Sequence, residues 1–207
     1  MTHANFNLSS DNTTFGDVVA SILLLLFLVL ISIAADKVDA AETAIFSPPP
    51  LYRKIAAEEG VPPFLFFAMI ANESNAELNT GNFMPWPWTL NVRGKSYYFE
   101  TRQNAYKALL QHLNETESVD IGFGQVNWRY HKSALLNPWR ALDPIFNLHC
   151  AAKMLREQYE ETHDWWIAVG RYHSPSNEQR AQDYRNKVKL KWEKFVGNSS
   201  PLYQAAL

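Results

Sequence analysis

Residues 62–75 read Pro-Pro-Phe-Leu-Phe-Phe-Ala-Met-Ile-Ala-Asn-Glu-Ser-Asn. Pro62 and Pro63 suit the first turn of a helix, where a missing N–H costs nothing. Phe64 to Ala71 are apolar on every helical face, so the helix they form lies buried inside a domain. Glu73 stands at the end of that run. A charged side chain is rarely found in such surroundings unless it is paired or functional. Burial disfavours its carboxylate, and so does the negative end of the helix dipole. Both effects raise its pKa, and a carboxyl that stays protonated near neutral pH can hand a proton to a leaving oxygen. The alternative is a helix that stops one turn earlier and leaves Glu73 in water.

Downstream, the pattern is mainly helical. A short helix over Tyr52–Glu59 precedes the apolar one and stops at Gly60. Trp88–Phe99 alternates around Arg93-Gly94-Lys95 and predicts a β-hairpin. Helices are expected over Thr101–Leu113 and Trp128–Leu136, from Asp143-Pro144 to about Glu160, and from Asp164 to about Gly170. A basic last helix is expected to about Val196, with Ser176 and Gln179 as a capping box. Ser118–Asn127 reads as a loop around Gly122 and Gly124, whose missing Cβ atoms would let the backbone approach a ligand. Gln125 and Asn127 carry amides that donate and accept at sugar hydroxyls and N-acetyl groups. An ordinary glycine turn fits the same residues. Tyr172, in Gly170-Arg171-Tyr172-His173, could reach the Glu73 carboxyl, or could simply cap a helix in the core.

The chain has 207 residues, 47% hydrophobic and 19% charged, which excludes a disordered polymer and fits one globular domain. Its formal net charge of -2 gives no basic footprint for nucleic acid. The lone Cys150 excludes an internal disulfide, and scattered histidines give no metal-ligand spacing, so neither metal nor cofactor is expected. Val18–Ala35 is uncharged for 18 residues and reads as a signal peptide or signal anchor. Residues 1–35 are therefore assigned to that segment, 36–50 to an Ala- and Pro-rich linker, and 51–207 to the folded domain. Residues 1–17 lack Lys and Arg, whereas Lys37, Arg53 and Lys54 follow the segment, which taken alone draws the domain inward.

Together these segments resemble the lytic transglycosylase domain of the soluble-transglycosylase type, related to goose-type lysozyme. Ala71-Asn72-Glu73-Ser74 is similar to the family's Glu-Ser motif. Asp120 to Asn127 is similar to its Gly-Leu-Met-Gln-Ile-Asn segment, with Phe123 and Gly124 in place of Leu and Met. Asp143–Leu155 resembles the helix that carries an Asn, here Asn147, and Val169–Ser174 its Ala-Tyr-Asn motif, with His173 in place of Asn. The replacements imply a reshaped cleft floor. The resemblance implies a mainly α, lysozyme-like domain with a small β-hairpin after the N-terminal membrane segment. It implies Glu73 as catalytic acid, with Ser74, Gln125, Asn127 and Tyr172 binding substrate. It also implies cleavage of the N-acetylmuramic acid to N-acetylglucosamine bond of peptidoglycan, leaving a 1,6-anhydro ring. That substrate puts the domain in the periplasm or cell envelope, against the charge bias. The Pro-Trp-Pro-Trp insertion is similar to that of transglycosylases serving conjugation or secretion machines, which implies such an apparatus as partner.

Two competing readings stay open. One is a lysozyme-type hydrolase with Asp120 as base for water. The other is a weakly active or inactive peptidoglycan-binding scaffold of an envelope machine.

Overall fold

A computed structural model describes residues 46–77 and 83–197. Chain order is α1 (Pro50–Glu58), α2 (Pro63–Glu73), β1 (Asn75–Glu77), β2 (Phe83–Pro85), β3 (Thr89–Val92) and β4 (Lys95–Tyr98). There follow α3 (Arg102–Leu113), β5 (Val119–Ile121), β6 (Val126–Asn127), α4 (Trp128–Leu135), α5 (Pro138–Ala141), α6 (Pro144–Thr162), α7 (Trp165–His173) and α8 (Glu178–Gly197). The fold is mainly helical with a small antiparallel sheet, as expected.

Helix α2 is the centre of the domain. Every residue from Phe64 to Ala71 is buried, with Leu65, Phe66, Met69 and Ile70 fully so. Full burial of each such side chain contributes about 1.5–3 kcal/mol. The helix packs on α1 and α8, while α7 lies between α6 and α8. It runs through to Glu73, so the alternative of an earlier stop is excluded. Ser74 ends it, donating from both its N–H (3.1 Å) and its hydroxyl (3.3 Å) to the Ile70 carbonyl.

Local chemistry sets most other boundaries. The Thr101 hydroxyl accepts from the Asn104 N–H at 3.2 Å, and Asp143 from Phe146 at 3.0 Å. Asp164 caps α7, accepting from the Trp166 and Ile167 amides at 2.7 and 3.0 Å. At α8 the expected capping box is displaced: Asn177, not Ser176, accepts from the Arg180 N–H, at 3.0 Å. The Asn177 side-chain oxygen, one residue on, takes an orphan N–H of the first turn instead.

The sheet exceeds the one expected hairpin. Strands β3 and β4 pair as predicted, but Ser118–Asn127 is not simply a loop. It contributes β5 and β6, giving the order β4-β3-β5-β6, and β1 pairs with β2 in a second, two-stranded sheet. Along β5 the exposure alternates, with Val119 and Ile121 buried and Asp120 between them half-buried. The registers Asn91↔Asp120 and Asp120↔Asn127 place three polar residues in one row across three strands. Because side chains alternate along a strand, this row shares one face, opposite the apolar one.

Phe46, inside the stretch read as linker, stacks on Phe195 at 4.7 Å between centroids. Among the described residues no helix is long and apolar enough to cross a membrane. The expected segment at 18–35 lies outside the described residues.

Candidate active site

The polar row of the sheet, the end of α2 and the end of α7 surround a cleft of about 720 Å³. Glu73 lies in its wall, half-buried. The Tyr184 hydroxyl, from α8, donates to Glu73 Oε1. The Asn72 side chain in turn hydrogen-bonds the Tyr184 hydroxyl. Burial pushes the Glu73 carboxyl up from 4.5 to about 8; the Tyr184 hydrogen bond opposes the shift and the nearby charge of Asp120 adds to it. At neutral pH the side chain is therefore mostly a carboxylic acid. With Tyr184 on Oε1, its proton sits on Oε2.

The tyrosine expected near the acid has another partner. Tyr172 donates from its hydroxyl to the Gly124 carbonyl at 2.6 Å. Tyr172 ends up lining the cleft and pinning the glycine loop, while Tyr184 holds the acid. His173 lies parallel on the Tyr184 ring, 4.4 Å between centroids and 3° between planes. Burial lowers its pKa, helped by Lys187 and Arg180.

The two glycines serve packing rather than ligand approach. A Cβ on Gly122 would lie 2.6 Å from Asn147 Cγ, and one on Gly124 would lie 2.5 Å from the Ala151 Cβ. The buried Asn147 side chain clamps this loop. Its amide donates to the carbonyls of Ile121 (2.9 Å) and Ala141 (3.1 Å), and its Oδ1 accepts from the Gly124 N–H at 2.8 Å. Phe123 is buried edge-on against Tyr52, 5.9 Å between centroids, so it faces the core and does not form the cleft floor.

The other expected binding residues divide. Ser74 is fully buried with its hydroxyl on the helix backbone, so it is a terminator of α2 and offers nothing to the cleft. Gln125 borders the cleft in a left-handed conformation (φ 46). Its amide nitrogen donates to the carbonyls of Gly122 (2.9 Å) and Thr89 (3.3 Å), which leaves its oxygen as acceptor. Asn127 donates to Asp120 Oδ1 at 2.7 Å, and its oxygen accepts from the Arg129 N–H at 3.0 Å. Asn127 lines the cleft, and its amide at the same time holds Asp120 and starts α4. Burial raises the Asp120 pKa, and the Asn127 bond counteracts it.

The cleft also takes in residues outside the expected set, Asn91, Tyr130 and Arg180 among them. Asn91 sits opposite Asp120, a position its alternation in β3 would have given had β5 been read as a strand. Tyr130 exposes 73% of its surface at the rim, a flat apolar face of the kind that stacks on sugar rings. Arg180 also lines the cleft. Trp86 and Trp88 pack edge to face on each other at 6.0 Å and do not line the cleft. Among the described residues no group of His, Cys, Asp and Glu could hold a metal ion.

The arrangement is one protonated carboxyl facing a polar trough beside a second carboxyl. The model of the transglycosylase SLT domain matches residues 50–195. No curated protein and no solved structure matches the chain.

Proposed function

The chain belongs to the transglycosylase SLT domain family, and from that premise we propose that it is a peptidoglycan lytic transglycosylase with Glu73 as its single acid and base. The observation that carries the reading is the Glu73 carboxyl, raised to about 8 in the cleft wall and held on one oxygen by Tyr184. Glu73 donates its proton to the glycosidic oxygen between N-acetylmuramic acid and N-acetylglucosamine. The C1–O bond breaks, and the muramic ring develops positive charge. The substrate's own N-acetyl group shields that charge, as in substrate-assisted glycosidases. Asp120, beside Glu73, adds a negative charge on the protein side. The Glu73 carboxylate then takes the proton of the C6 hydroxyl, whose oxygen closes on C1. A 1,6-anhydro ring forms and no water is consumed. Tyr184 steadies the carboxyl through both steps, and the Gln125 oxygen and Asn91 offer hydrogen bonds to the sugars.

The envelope location, the membrane segment at 18–35 and service to a conjugation or secretion apparatus belong to the same proposal. They rest on the substrate and on the sequence.

The test is digestion of purified peptidoglycan by the full chain and by Glu73→Gln, with soluble products read by mass spectrometry. Fragments lacking one water at the muramic end, absent with the variant, are expected. Ordinary reducing ends would instead make this a hydrolase. Asp120, in the same cleft and electrostatically coupled to Glu73, would then be the base for water. No release by either protein, with binding to the wall intact, would leave a scaffold.

A further inference from the structure

A second hollow of about 720 Å³ lies between α4, α5 and α6. It shares the wall residues His131, Met154 and Glu157 with the cleft, so the two adjoin. Their chemistry differs. The cleft is walled mainly by polar groups, the hollow mainly by apolar ones, Ala134, Ile145, Phe146 and Met154 among them. Two cations line the same hollow. The Arg140 guanidinium lies 4.6 Å above the Phe146 ring, and Lys153 is one turn of α6 beyond His149. Among the described residues neither has an ion-pair partner. Two carboxylates also line the hollow. Asp143 is held by Arg102 at 3.4 Å and caps α6, and Glu157 stands on the wall shared with the cleft.

We propose that this hollow binds the peptide stem of the glycan strand lying in the cleft, Arg140 and Lys153 taking its carboxylates and the apolar floor its alanyl methyl groups. The inference rests on the proposed substrate, since that polymer carries a short, carboxylate-rich peptide on every muramic lactyl group. The volume is within the range of about 300–1,000 Å³ that holds ligands of this size. A bare sugar chain would find less there than in the cleft, because most of the hollow's exposed wall is apolar. Arg over an aromatic face is pre-ordered for a planar carboxylate and loses little freedom in binding it.

The test uses the full chain in detergent with methyl-labelled methionine and isoleucine. The probe is synthetic L-Ala-γ-D-Glu-diaminopimelate-D-Ala, alongside the same peptide with its carboxylates amidated. Saturable shifts at Met154 and Ile145 are expected, weakened about tenfold by amidation or by the Arg140→Ala/Lys153→Ala double substitution, the worth of about one charge-assisted bond. Both residues are exposed, so the variant keeps its fold. No saturable shift at Met154 and Ile145, or equal binding of the amidated peptide, overturns the proposal. Digestion of stem-bearing and stem-free glycan separates the two levels. Loss confined to stem-bearing strands in the double variant supports the hollow, and equal loss on both refutes it. Failure of the unaltered chain to cut either strand refutes the enzymatic reading, while the peptide titration still judges the hollow.

Discussion

Replacing Glu73 by Gln should make the protein more stable, and by an amount that depends on pH. In the folded state the carboxyl titrates at about 8; unfolded, it returns to 4.5. Between those values the native state binds more protons than the unfolded one, so stability falls as pH rises through this window. The difference corresponds to roughly 5 kcal/mol at about 1.36 kcal/mol per pH unit, which is a ceiling. The cleft admits water to one side of the carboxyl, so about 2–4 kcal/mol is expected. Gln is neutral and can still accept from Tyr184, so it escapes this cost. Below pH 4.5 the two proteins should match closely, and above pH 8 the variant should be ahead. At about 2–4 °C per kcal/mol, its Tm should lie roughly 5–15 °C higher there. Thermal and urea unfolding, followed by tryptophan fluorescence at pH values on both sides of the window, measures it. A gap that is the same at every pH, or a variant no more stable at alkaline pH, would refute the claim that Glu73 is forced neutral by its site.

Other outcomes follow from the same geometry. Tyr184→Phe removes the hydrogen bond that lowers the Glu73 pKa, so the alkaline limb of the kcat/KM profile should move up in pH. Its kcat should fall about tenfold or more from lost orientation, with KM nearly unchanged. Asp120→Asn removes a charge that raises the Glu73 pKa, so that limb should move down; a fixed limb would show that the two carboxyls are not coupled. Gly122→Ala sets a Cβ against Asn147 at a backbone φ of 77 and should cost about 2–4 kcal/mol by urea unfolding. Asn147→Ala orphans the Gly124 N–H and the Ile121 carbonyl and should cost a similar amount, readable as a lower Tm.

What could be read from the chain was what its neighbours in sequence decide. The apolar run 64–71 ending in Glu73 specifies a buried helix with an acid at its tip, because length, prolines and uniform hydrophobicity agree. Asp143 and Asp164 cap helices through bonds spanning two or three residues. Contacts made across the fold were hidden. Tyr184 lies 111 residues beyond Glu73 and looks, in the chain, like one more apolar position on a basic helix. The strands β5 and β6 are three and two residues long, too short for alternation to show, so they passed for a glycine loop. The glycines themselves are visible in the chain, but their reason, the Asn147 side chain, is 23 residues from Gly124 and has no local signature. Ser74 and Asn127 have polar groups that suit a sugar, yet the backbone of α2 and Asp120 had first claim on them.

The bond between Tyr184 and Glu73 joins an early helix to the last described one. A chain made from its N-terminus has its glutamate long before its tyrosine. Before α8 docks on α2, Glu73 lacks both Tyr184 and the cover of that helix, and burial is what raises its pKa. On the role proposed for Glu73, a nascent, clipped or misfolded copy carries the acid without the site that keeps it protonated. On the proposed reading, in which the target is a cell-wall polymer, the fold acts as a safety catch released only by its completion.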